Sequence, residues 1–144
     1  MFRDRLLFKS IVFAAFLSSE ALAQDTSPAT EYSWAIDCMS AASLLDAVGA
    51  NEPVYSSVVG LPRPSRIRDS YAARVFPIGT SLGKSREQIV ADFRSAYTRK
   101  QTEAAAADRQ PPLEGVRSRG VLELQQLAHI CARYAFDHGF LLER

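Results

Sequence analysis

Residues 121–139, VLELQQLAHICARYAFDHG, hold the pattern that decides the fold. Val121, Leu124, Leu127, Ala128, Cys131, Tyr134, Ala135 and His138 recur at steps of three and four, which puts them along one face of a helix, and Gly139 stands where a helix closes. A second stripe of this kind, Trp34, Cys38, Ala41, Leu45 and Val48, predicts a first helix from Trp34, with Ser33 as N-cap and Gly49 at its close. Each stripe carries one of the chain's two cysteines. A Cys38–Cys131 bridge would join the first and last helices inside a core, which is coherent for a helix bundle.

The segments between them extend the reading. Ile67, Tyr71, Val75, Ile78 and Leu82 keep the helical period through Pro77, so the second helix is expected to be kinked or broken there, because proline removes an intrahelical hydrogen bond. Gly83 marks its end. Ser85-Arg86-Glu87-Gln88 fits a capping box that opens a third helix over about 86–107, with Ile89, Phe93, Ala96, Tyr97 and Lys100 on one face. Its distal part, Glu103 to Ala107, has alanines instead of bulky groups and is expected to project or fray. Residues 50–64, punctuated by Pro53, Pro62 and Pro64, read as a connector. The expectation is an all-α domain of about four helices.

Residues 1–23, MFRDRLLFKSIVFAAFLSSEALA, read as a cleavable secretory signal. Arg3, Arg5 and Lys9 form a basic start, Ile11 to Leu17 an apolar centre, and Ala21-Leu22-Ala23 a small-residue cleavage site before Gln24. The apolar run is shorter than the roughly 20 residues of a membrane span. The domain reading is thus 1–23 signal peptide, 24–33 flexible leader and 34–144 a single helical domain, located in the periplasm of a Gram-negative cell or secreted. In that oxidising setting an isolated cysteine pair reads as a structural disulfide.

Charge narrows the partners. Removing Arg3, Arg5 and Lys9 from 17 basic residues, and Asp4 and Glu20 from 16 acidic ones, leaves 14 of each. A neutral exported chain argues against nucleic acid. Residues 24–62 contain Asp25, Glu31, Asp37, Asp46 and Glu52 and no basic residue, whereas Arg63, Arg66, Arg68 and Arg74 follow closely. These four arginines are the candidate partner surface, for a protein or an anionic envelope component. The competing reading is that they neutralise the acidic segment within the fold.

Catalytic signatures are weak. No serine lies in a Gly-x-Ser-x-Gly elbow. Gly79 to Ser85 ends in Gly-Lys-Ser, but Ile78 stands where a phosphate loop needs its first glycine. His129 and His138, the only histidines, lie nine residues apart, so they cannot act as an i, i+4 ligand pair. Most aromatic residues fall on the helical stripes; Phe76 and Phe136 stand one step beside theirs, able to widen the core face or meet a partner.

In size and general architecture the mature chain resembles small exported helical proteins with one disulfide, among them periplasmic acid-stress chaperones and toxin-immunity proteins, without a shared motif. The reading is a non-enzymatic binding protein, such as an inhibitor, immunity partner, chaperone or envelope-complex accessory, with no cofactor and no metal. Two alternatives stay open. One is a small enzyme using His129 or His138 with a carboxylate; the other is a metal or haem carrier, for which Cys38, Cys131 and His138 would supply a Cys2His site in a reduced chain.

Overall fold

The computed structural model describes residues 27–49 and 62–141. The signal segment, the cleavage site before Gln24 and positions 50–61 of the connector lie outside the described residues. Four helices make up the described chain: α1 Pro28–Gly49, α2 Pro64–Ser81, α3 Arg86–Asp108 and α4 Arg119–Asp137, with no strand among the described residues.

Helix α1 starts at Pro28 rather than Trp34, so residues 28–33 are helix and not leader. The Ser27 hydroxyl accepts from the Thr30 N–H at 3.3 Å, while Pro28, which has no N–H to satisfy, occupies the first turn. Ser33, the expected cap, is an exposed position inside the helix. The burial of α1 also exceeds one stripe. Tyr32, Ala35, Ile36, Met39, Ser40, Ala42 and Leu44 are buried along with Cys38, Ala41 and Leu45, whereas Val48 is exposed. A helix apolar on nearly every side is a core element, and its alanines and serines let the other three pack close. Helix α1 is the axis of the molecule.

Helix α2 packs along α1 through Ile67, Tyr71 and Val75, all buried. Of the kink or break expected at Pro77 the break does not occur, because the helix is continuous through it. Pro77 is exposed, as is Ala73, whose carbonyl loses its helical donor and can be served by water. Gly79 allows a close approach: a Cβ there would lie 2.7 Å from Ile89 Cδ1 and 2.9 Å from the Tyr32 ring. The helix ends in a Schellman motif, with Lys84 N–H donating to the Gly79 carbonyl and Gly83 N–H to that of Thr80, both at 3.0 Å.

The capping box of α3 forms as its sequence predicts. Gln88 N–H donates to Ser85 Oγ at 3.2 Å, and Ser85 N–H donates to Gln88 Oε1 at 2.7 Å. The distal turn of α3 is docked instead of projecting. A Cβ on Gly120 would fall 2.3 Å from the Ala104 carbonyl oxygen, so α3 and α4 meet there backbone to backbone, and Ala107 is buried. Asp108 completes the junction, accepting from the Ser118 hydroxyl at 2.8 Å and the Gly120 N–H at 3.0 Å. These two donors, the Gly120 amide first, hold the Asp108 carboxyl below the usual carboxylate range.

Helix α4 is capped by Ser118, whose hydroxyl accepts from Val121 N–H at 3.0 Å. Cys131 and Cys38 form the predicted disulfide, both fully buried, with a Cα–Cα separation of 5.7 Å. A native bridge closing so long a loop contributes about 2 to 5 kcal/mol. Beside it the Tyr71 hydroxyl donates to the Cys131 carbonyl at 2.8 Å, tying α2 to the same turn of α4. At the C-terminal end Gly139 has φ +70°, and Phe140 folds back to meet Tyr71 and Tyr134 edge-on, at 5.2 and 6.1 Å between ring centroids. No described helix is long and apolar enough to cross a membrane.

Candidate interaction surface

The four candidate arginines divide around α2. Arg66 and Arg68 stand two positions apart, roughly 200° around a helix, so they leave on opposite sides. Arg68 donates to Asp46 at 2.7 Å and to Asp69 at 2.9 Å. The Asp69 hydrogen bond is the largest of several contacts that raise its pKa above the usual arginine value. Arg74 pairs with Glu31 and lies 4.3 Å over the Phe140 ring. Both carboxylate partners from α1, Asp46 and Glu31, belong to the acidic N-terminal segment. Arg63 is exposed before α2 and Arg66 is half-buried, and neither has an ion pair among the described residues.

Among the described residues neither histidine meets a carboxylate. His129 is exposed on α4; His138 caps the same helix, with Nδ1 2.8 Å from the Tyr134 carbonyl oxygen and its ring stacked on Tyr134 at 3.9 Å. Cys38 and Cys131 are consumed by their disulfide, so the thiolate pair of a Cys2His site does not exist in this state. Asp92 is the most engaged carboxylate between helices. Lys84 and Tyr32 each donate to its Oδ2 at 2.8 Å, which holds it below the usual carboxylate range, Lys84 contributing most. Burial, and then the Asp92 bond, pushes the Tyr32 hydroxyl well up, so it is a neutral donor that braces α1 against α3.

Two concavities open on the described surface. One, of about 200 Å³, lies between α3 and α4, with Glu103, Glu123 and Leu127 in its wall. Its Glu103 is tied to Lys100 at 2.9 Å. The second is a cleft of about 230 Å³ over α1, between α2 and α3. Its wall is apolar: Met39 and Ile89 are buried at the base, and Ala72, Phe76, Val90 and Phe93 form the sides. Ser43 and Arg68 close one end. Phe76 is 37% exposed on its lip, with the Arg86 guanidinium 5.8 Å from the ring centroid.

Of these groups the sequence marked Ile89 and Phe93 as core stripe, Phe76 as an aromatic off its stripe, and Arg68 as a candidate surface residue. Val90 and Arg86 escaped because a side chain beside a stripe reads equally as a wider core or a solvated flank. The cleft arises where α2 and α3 both pack on α1 and meet each other little. That is a property of three helices together. No protein-family model, curated protein or solved structure matches this chain.

Proposed function

We propose that the chain is an exported, disulfide-stapled binding protein that engages another protein of the cell envelope, and that it is not an enzyme. The observation that carries this reading is the apolar cleft between α2 and α3. It keeps Phe76 partly in water and leaves apolar walls uncovered over α1. At about 230 Å³ it is smaller than the roughly 300 to 1,000 Å³ of small-molecule sites, and suits one or two inserted side chains. No serine or histidine with a general-base geometry lines it.

Export rests on the three-part signal in residues 1–23 and agrees with the buried Cys38–Cys131 bridge, which suits the periplasm or the medium. Arg63 and Arg66, on another side of α2 from the cleft, remain candidates for a secondary contact with acidic groups. Affinity capture from envelope extract tests the reading when wild type is compared with Val90→Glu, which places a charge in the cleft wall. A specific partner held by wild type and lost from the folded variant supports it. Equal retention by both moves the interface off the cleft, and no partner at all refutes the reading.

A further inference from the structure

Charge around the cleft is uneven between its two lips. On the α2 lip Arg68 is answered by Asp46 and Asp69. On the α3 side Arg86 and Arg94 have no ion pair among the described residues, and Arg94 is exposed one turn beyond Val90. Glu87 forms no ion pair with either: its carboxyl is turned to the start of α3, where its own backbone N–H first and Ser85 next hold it low, and the charge of Arg86 is the least of the causes.

Arg86 and Arg94 lie eight residues apart, about 12 Å along α3 at a rise of about 1.5 Å per residue. Two turns of a second helix span the same length. The cleft wall at Val90 falls between them, and the space there takes one large apolar side chain.

Resting on the binding-protein reading above, we infer that the cleft receives an acidic helical segment of another protein. That segment presents one apolar side chain to the Phe76, Val90 and Phe93 walls. Carboxylates about two turns apart on either side of it meet Arg86 and Arg94. The neutralised α2 lip sets the orientation, with the acidic edge of the partner over α3.

The test uses the exported, disulfide-bonded protein labelled with 15N, and a synthetic amphipathic helix carrying one Phe flanked by glutamates seven positions apart. Two control peptides replace those glutamates with Gln or with Lys. Saturable amide shifts at Ala72, Phe76, Val90 and Phe93 are expected with the acidic peptide. Binding of the Gln peptide should be several-fold weaker. The exposed substitutions Arg86→Glu and Arg94→Glu together should weaken the acidic peptide by roughly tenfold and favour the Lys peptide. Absent shifts, shifts centred on Arg63 and Arg66, or equal binding of the three peptides would overturn the inference. So would self-association shifting the same amides, since a second copy would then fill the cleft. If the peptides fail while Val90→Glu still loses a captured partner, the acidic assignment falls and the binding reading stands.

Discussion

Single residues in the core show where packing has outrun polar satisfaction. Ser40 is fully buried on α1, and its hydroxyl has no hydrogen-bond partner among the described residues. A buried unpaired hydroxyl costs about 1 to 3 kcal/mol, so Ser40→Ala should leave stability unchanged or raise it by about 1 kcal/mol in urea unfolding. A clear loss would mean that the hydroxyl has a partner. Asp92 is the opposite case, a carboxylate held by Lys84 and Tyr32. Its folded pKa is depressed, so its contribution is present above the unfolded carboxylate pKa of about 3.9 and fades as pH falls below it. Asp92→Asn should therefore lower the melting temperature at pH 7, and the deficit should shrink towards pH 3. A deficit that stays constant with pH would assign the effect to packing alone.

At the scale of elements, punctuation was legible where one residue type answers one local geometry. The Ser85 and Gln88 box, Gly83, and the close of the last helix at Gly139 all occur where the sequence places them. The start of α1 was misplaced because Ser33 and Ser27 are both competent caps, and only the burial of Tyr32 separates them. At Pro77 the sequence left a kink or a break open, and tertiary packing of Ile67, Tyr71 and Val75 on α1 holds the helix together without a break. The alanine-rich end of α3 looked unsupported because its partner is a backbone, and a close approach at Gly120 leaves no bulky stripe to read. Gly120→Ala should then cost about 2 to 4 kcal/mol, since the contacted atom is a backbone oxygen that cannot step aside. Gly79→Ala should cost less, because the Ile89 side chain can turn. Equal losses in denaturant unfolding would refute this account of the α3–α4 junction.

For the whole molecule, the bundle and its staple were readable because two cysteines on two helical stripes leave little choice of topology. The cleft was not, because it belongs to no single helix. Arg68 and Arg74, chosen from sequence for a partner, are bound to Asp46 and Glu31 in half-buried pairs, and surface pairs contribute about 0.2 to 1 kcal/mol each. Arg63 and Arg66 have no ion pair among the described residues, and uncovered apolar walls and unpaired arginines come together at the α3 lip. A photo-crosslinking side chain placed at Val90 of the protein, expressed in its own cells, interrogates that surface directly. The account predicts a discrete adduct with another protein from position 90 and none from the exposed position Gln126 on α4. No adduct at position 90, or the same adduct from both positions, would contradict it.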